Sequence, residues 1–348
     1  MNKIIKIGNK SIGDGYPCFV ISEAGSNHDG SFSKALKLID VAVAAKADAV
    51  KFQTFKAHKM YTEKAGLLDY IKTKKTIYQV VKEMEMPKEW VPKLANYCQK
   101  RGIIFISTSC DEESVDILDP YVPAFKIASY EMTHIPLLKY VAKKNKPIIL
   151  STGAANMNEV KKIVLELKKN GVKNLILMQC TASYPTELED VNVKVIQTLK
   201  KTFKIPVGFS DHSREPDVAP MAAVAVGADI VEKHFTLSNK LPGPDHKFAV
   251  EPQELKYMIE KIRMTEKAMG SDKKVTLPTE NYLRKFARRN IYAIKNINKG
   301  ENFSKNNIAV LRRGNNKFGL YPDFFDILLR QTSKRNIGKN DPIIKKDL

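Results

Sequence analysis

From Cys18 to His234 the chain repeats one pattern: a short apolar run, a polar cluster at its end, and then an amphipathic stretch. The runs are C-F-V-I-S-E from Cys18, D-A-V-K-F-Q from Asp48, I-I-F-I-S-T from Ile103, A-F-K-I-A-S from Ala124, P-I-I-L-S-T from Pro147, N-L-I-L-M-Q-C-T from Asn174, P-V-G-F-S-D-H from Pro206 and D-I-V-E-K-H-F from Asp229. Unbroken apolar runs are what strands buried on both faces require. The stretches between them have helical periodicity. They predict helices over residues 33–45, 87–101 (with Trp90 on the apolar side), 112–118, 135–144, 157–170, 191–202, 218–226 and 252–269. Eight strands alternating with helices over about 250 residues are the arithmetic of an α/β fold, the (β/α)8 TIM barrel. A doubly wound sheet is the structural rival, but no Gly-rich dinucleotide fingerprint opens the first unit.

Residues 1–17 read as a hairpin around Gly8-Asn9, suited to plugging the bottom of the barrel. Residues 55–84 form an excursion after the second run, with Tyr61, Tyr70 and Tyr78 in position for a lid. A polar stretch with one proline and no apolar period sets a linker at 271–286. The barrel domain then spans 1–270, and a small β-rich domain spans 287–348.

Parallel barrels present their chemistry at the carboxyl edge of the strands. There the runs deliver Glu23, with Asn27 and His28 beyond it, then Lys51 and Gln53, Ser107 and Thr108, and Lys126, Ser129 and Glu131. Ser151-Thr152-Gly153, Gln179, Thr181 and Tyr184 follow, then Ser210, Asp211, His212, Glu232 and His234, and Asp245 in a G-P-D-H loop. His212 and His234 each stand beside an acidic residue at the end of neighbouring strands, an arrangement open to a divalent metal. Taken singly, each would only satisfy a strand end. Lysines inside apolar runs cost desolvation unless an anion meets them. Lys51 and Lys126, ringed by Ser and Thr, therefore outline a phosphate and carboxylate pocket. The alternative is that each lysine pairs with a buried carboxylate such as Glu23 or Glu131. The S-T-G triplet alone is a weak sign, since Ser-Thr before Gly also serves as a helix cap.

Charge and cysteine usage narrow the reading further. Lys and Arg number 58 against 38 Asp and Glu, a net charge of +20, and residues 281–348 alone carry 16 against 5. The lysines are spread along helices rather than interleaved with aromatics, which argues against nucleic acid; anionic small substrates, or a generally basic proteome, explain the charge as well as RNA does. No run approaches about 18 uninterrupted apolar residues, so no membrane span is expected. No signal peptide is visible either, which leaves the cytoplasm as the expected compartment. Cys18, Cys98, Cys110 and Cys180 lack any C-x-x-C pairing, so neither disulfides nor zinc-finger sites are expected. Cys110, just past a strand end, is a nucleophile candidate without a supporting local signature.

The motifs E-A-G-S-N-H-D-G-S (23–31), K-F-Q-T (51–54), F-K-I-A-S (125–129), S-T-G (151–153), C-T-A-S-Y-P-T (180–186), G-F-S-D-H-S (208–213), E-K-H-F-T (232–236) and G-P-D-H (243–246) resemble the sialic acid synthase family. Its members join phosphoenolpyruvate to an N-acylated hexosamine to make nonulosonic acids. The match runs in order along nearly the whole chain, and the residues after the linker resemble that family's antifreeze-like (SAF) domain. The resemblance implies a transferase that forms a carbon–carbon bond. Synthesis of legionaminic, pseudaminic or 9-phosphorylated sialic acid stays open, and a carbohydrate-binding pseudoenzyme is the non-enzymatic alternative. The resemblance makes His212 and His234 the ligands of manganese or magnesium. It assigns Lys51, Thr108, Lys126, Ser129, Ser151 and Ser210 to phosphoenolpyruvate, and turns Glu23, Gln53, Tyr184 and Asp245 toward the acyl sugar. Glu131 is the candidate for proton handling at the pyruvyl carbons. Glu23 and Asp211 come next, as acid–base groups or as orienters of the metal site. Arg312, in L-R-R-G-N, matches an arginine that reaches into the partner's barrel in a domain-swapped homodimer, with Arg313 as its rival. Two departures stand out. Relatives commonly read S-T-P-F where this chain has Ser107-Thr108-Ser109-Cys110, and R-P-G-N where it has Arg312-Arg313-Gly314-Asn315.

Overall fold

All eight apolar runs are strands, and they close on themselves. The structure, a computed structural model, describes residues 3–67 and 74–348. A hairpin of β1 (Ile5–Ile7) and β2 (Lys10–Ile12) comes first. The barrel strands are β3 (Phe19–Gly25), β4 (Ala49–Thr54), β5 (Ile104–Ser109), β6 (Phe125–Ile127), β7 (Ile148–Ser151), β8 (Leu175–Gln179), β9 (Val207–Asp211) and β10 (Ile230–His234). Each pairs in parallel with its sequence neighbour, and β10 returns to β3 to close the ring. This is the expected TIM barrel, with the helical segments between the strands forming the outer layer. The period-2 alternation of a strand divides its residues between two cores. Val20, Val50, Phe52, Phe105, Phe125, Leu150, Leu177, Phe209 and Val231 pack outward with the helices. Phe19, Ile21, Ala49, Ile106, Ile149, Ile176, Met178 and Ile230 fill the interior, and Ile5, Ile7 and Ile12 of the hairpin complete that interior cluster. The hairpin is thus the floor of the barrel, and Lys10 fastens it to Asp48 at 2.8 Å.

Two of the expected helices match residue for residue, Glu112–Leu118 and Pro252–Met269. The helix expected at 191–202 instead starts late, at Val195–Phe203. Asn192 takes a left-handed φ of 51° and interrupts the helical path before it. The excursion after β4 forms short helices Ala57–Met60 and Ile77–Glu83, which pack with Phe55 against Cys110 beyond β5. Tyr70 lies outside the described residues. No helix among the described residues is long and apolar enough to cross a membrane.

The chain divides into two compact units, Met1–Gly270 and Ser271–Leu348. The second is built on an antiparallel pair, β11 (Arg289–Ala293) and β12 (Ile308–Arg312), with Ile291 opposite Val310. Its core gathers Ile291, Ile297, Phe303, Ile308, Leu328, Ile337 and Ile343. Within the segment read as a linker, Leu277 N–H donates to Glu280 at 2.7 Å, and a helix over Asn281–Ala287 follows directly.

Candidate active site

The strand register decides which side chains meet. Lys51 lies opposite Glu23, Thr108 opposite both Gln53 and Lys126, Ser210 opposite Glu232, and His234 opposite Glu23. These residues share the inward parity of the interior core, one layer above it. Lys51 Nζ sits 2.8 Å from Glu23 Oε1, donates to Thr108 Oγ1 at 2.9 Å, and lies 3.8 Å from Glu232 Oε2. Lys126 Nζ donates to Ser151 Oγ at 2.7 Å and lies 3.6 Å from Glu232 Oε1. Both lysines are only 3% exposed. Ser210 donates to Glu232 at 2.9 Å, and Gln53 donates to Glu23 at 2.9 Å. Ser129 Oγ accepts from the Gly153 N–H at 3.0 Å and lies 3.1 Å from Cys180 Sγ. So the pairing alternative is half right: the lysines do face carboxylates, Glu23 and Glu232 rather than Glu131.

The electrostatics follow from burying two ammonium and two carboxyl groups together. Desolvation lifts the Glu23 carboxyl to about 7 against the pull of Lys51. Burial opposes ionisation of Glu232 too, but Lys126, Lys51 and Ser210 outweigh it and hold that carboxyl below its usual range. Burial pulls Lys126 below the ordinary ammonium value, whereas Glu23 and Glu232 overcome the same penalty at Lys51 and raise it. Glu131, near Lys126 and Cys110, is raised by burial. The Cys110 thiol is buried and pushed well above its ordinary value, so the nucleophile expectation lacks a thiolate to support it.

On the opposite wall, the His212 and His234 rings lie 5.6 Å apart, and Tyr184 stacks on His212 at 4.2 Å. His212 Nδ1 meets the Thr181 carbonyl at 2.7 Å. A carbonyl only accepts, so Nδ1 carries the proton and Nε2 keeps its lone pair. His234 Nδ1 is buried without a hydrogen-bond partner, and the Asp245 carboxylate stands 3.6 Å away, beyond bonding distance. Desolvation lowers both imidazoles, His212 to about 4, so both are neutral near pH 7. Asp245 is lifted by burial to about 6. Among the described residues no group of three or more His, Cys, Asp and Glu has metal-binding geometry. Two neutral imidazoles, one with an orphaned nitrogen, nevertheless fit a divalent ion that takes two protein ligands and leaves its other positions open.

Several side chains expected at the rim lie elsewhere. Ser107 bonds Thr54 at 2.8 Å and Gln179 donates to the Val191 carbonyl, both on the outward side of the wall. His28 packs on Trp90 and Phe52, and Asn27 donates to the Phe235 carbonyl. Asp211 also has outward parity. Its carboxylate binds Lys233 Nζ at 2.7 Å and the Ser213 N–H at 2.8 Å, on the side of the wall away from the rim. Sequence reasoning passed over Lys233, although a lysine inside V-E-K-H-F carries the same signal that singled out Lys51 and Lys126. It also passed over His246, which bridges Thr236 at 2.6 Å and Asp29 at 2.8 Å and ties the loop of Asp245 to the one after β3.

Residues 38–274 match the model of the NeuB family, and residues 288–348 match that of the SAF domain. The chain belongs to the NeuB family. It is 46% identical to the spore coat polysaccharide biosynthesis protein SpsE of Bacillus subtilis, over 93% of this chain and 91% of that one. It is 41% identical to the N,N'-diacetyllegionaminic acid synthase of Campylobacter jejuni, over 94% of this chain and 98% of that one. Among solved structures, the N-acetylneuraminic acid (sialic acid) synthetase of Leptospira borgpetersenii superposes with a TM-score of 0.75 at 35% identity, covering 82% of this chain and 96% of that one.

Proposed function

We propose that this NeuB-family chain condenses phosphoenolpyruvate with the open-chain form of an N-acyl hexosamine and water, giving a nine-carbon 2-keto acid and phosphate. The observation that carries the reading is the meeting of two buried ammonium groups and two neutral imidazoles on one rim. In it, Lys51, Lys126, Thr108, Ser129, Ser151 and Ser210 receive the phosphate and carboxylate of phosphoenolpyruvate. That anion takes the lysines over from Glu23 and Glu232, the carboxyl groups they face until it arrives. Gln53, Tyr184, Asp245 and Glu23 face the sugar. His212 and His234 would hold manganese or magnesium, which when bound supplies Lewis-acid polarisation of a carbonyl oxygen.

The electron pair of the enol double bond forms the new bond from C3 to the aldehyde carbon, and the aldehyde oxygen takes a proton. Water adds to C2 and gives up a proton. The C2–O bond to phosphate then breaks as the new hydroxyl becomes the ketone. Glu131, whose carboxyl burial raises, serves as the proton carrier beside the pyruvyl carbons. Arg312 is exposed, and its guanidinium meets no acceptor among the described residues, whereas Arg313 donates to the Asn316 carbonyl at 2.8 Å and covers Phe318. Arg312 is therefore the better candidate to reach the partner's barrel in a domain-swapped homodimer.

The test is inorganic phosphate release from phosphoenolpyruvate with Mn(II) and a panel of aldoses: N-acetylmannosamine, its 6-phosphate, and the dideoxy-diacetamido hexoses. Release that depends on one acyl hexosamine is expected, and the preferred aldose names the product. Glu131→Gln is expected to lower turnover about 10²–10⁴-fold. Absence of release with every aldose would leave the carbohydrate-binding pseudoenzyme in its place.

A further inference from the structure

Lys233 is the most deeply buried cation of the barrel wall, 1% exposed, and it lies on the side of β10 away from the rim. A lysine in that position has to be matched by acceptors, and all of its partners come from one short segment. Its Nζ donates to Asp211 Oδ2 at 2.7 Å, to the Ser213 carbonyl, to Ser213 Oγ at 3.2 Å and to the Glu215 carbonyl at 2.9 Å. Asp211 in turn accepts from the Ser213 N–H at 2.8 Å. These contacts bracket His212 on both sides. The backbone leaving β9 is thus pinned from behind, while the His212 ring projects forward with Nδ1 on the Thr181 carbonyl.

We propose that Lys233 is a positioning residue. By clamping residues 211–215 it fixes the direction and tautomer of His212, and through it the site for the divalent ion. An ion pair kept only for stability needs the charge of Asp211. The three N–H donors of Lys233 need further acceptors wherever they are found, and here two of them are main-chain carbonyls on either side of Arg214, whose binding constrains backbone direction as well as matching the donors. A single ammonium reaches these acceptors from one point. A planar guanidinium spreads its donors over a wider fork and cannot do so.

The inference rests on the proposed metal reading, so its test carries one readout with Mn(II) and one without. Lys233→Arg keeps the charge opposite Asp211, and Lys233→Met with Asp211→Asn removes the pair together, so that no buried charge is left alone. Mn(II) affinity is measured on the full-length protein by the electron paramagnetic resonance of the free ion. The His212 Nδ1–H signal is followed by imidazole nitrogen–proton correlation in metal-free protein, with His212→Ala for assignment. In either folded variant, Mn(II) binding is expected to weaken about 10–100-fold, as for other groups that orient metal ligands, and the Nδ1–H signal to be lost or split. Parent-like Mn(II) affinity together with a parent-like His212 signal, in whichever variant folds, overturns the proposal. Failure of the parent itself to bind Mn(II) would overturn the metal reading instead, and the His212 signal would then decide the role of Lys233 alone.

Discussion

Glu23 has one oxygen on Lys51 and Gln53 and the other buried without a partner. Desolvation, opposed by Lys51 and reinforced by Glu232, raises its carboxyl from 4.5 to about 7. In the unfolded chain the proton leaves near the ordinary value. Between these two pH values the folded state therefore holds more protons, and stability falls as pH rises through that window. Glu23→Gln has no such proton to lose. The melting temperature of the variant minus that of the parent should therefore grow more positive from pH 5 to pH 8. A difference that stays flat across the window would mean that Glu23 titrates like an exposed carboxyl, and that the pocket is wetter than its burial indicates.

At the scale of elements, the turn after β7 shows how tightly the proposed phosphate side is built. A Cβ on Gly153 would stand 2.7 Å from Cys180 Sγ and 2.8 Å from Ser129 Oγ. Gly153→Ala should therefore displace Ser129 and raise KM for phosphoenolpyruvate by about tenfold, the equivalent of one lost charge-assisted hydrogen bond, while Mn(II) affinity stays at the parental level. An unchanged KM would remove Ser129 from the phosphate pocket. The strands themselves were legible in the chain because burial on both faces leaves unbroken apolar runs, and a polar residue at the end of each run marks the rim. What the runs could not convey is parity. Ser107, Gln179 and Asp211 stand at strand ends beside rim residues, yet one step along a strand turns a side chain through the wall. Partner choice was equally hidden: Lys126 faces Glu232 across the barrel, a contact between β6 and β10 that no local pattern encodes. The hairpin and the excursion after β4 were readable as elements. Why the helix after β8 starts late depends on the left-handed Asn192, a single backbone choice.

At the scale of the molecule, the proposed exchange of caps makes a quantitative demand on mixtures. Arg312 belongs to the unit Ser271–Leu348, and Lys126 to the unit Met1–Gly270. If each active site combines one chain's barrel with its partner's Arg312, then Arg312→Ala spoils the site of the partner and Lys126→Ala spoils its own. In a homodimer of either variant both sites are defective. In a mixed dimer the two lesions fall in one site, and the other site receives an intact barrel and an intact arginine. Co-expression of the two variants in equal amounts produces mixed dimers in about half of the population, each with one working site. Phosphate release should therefore recover to about a quarter of the parental rate, although each variant alone is nearly silent. If every chain completes its own site, the mixture has no intact site at all and its rate stays at the average of the two variants. Recovery thus separates the exchanged arrangement from a self-contained one, and it does so without removing residues 271–348 from the barrel they accompany.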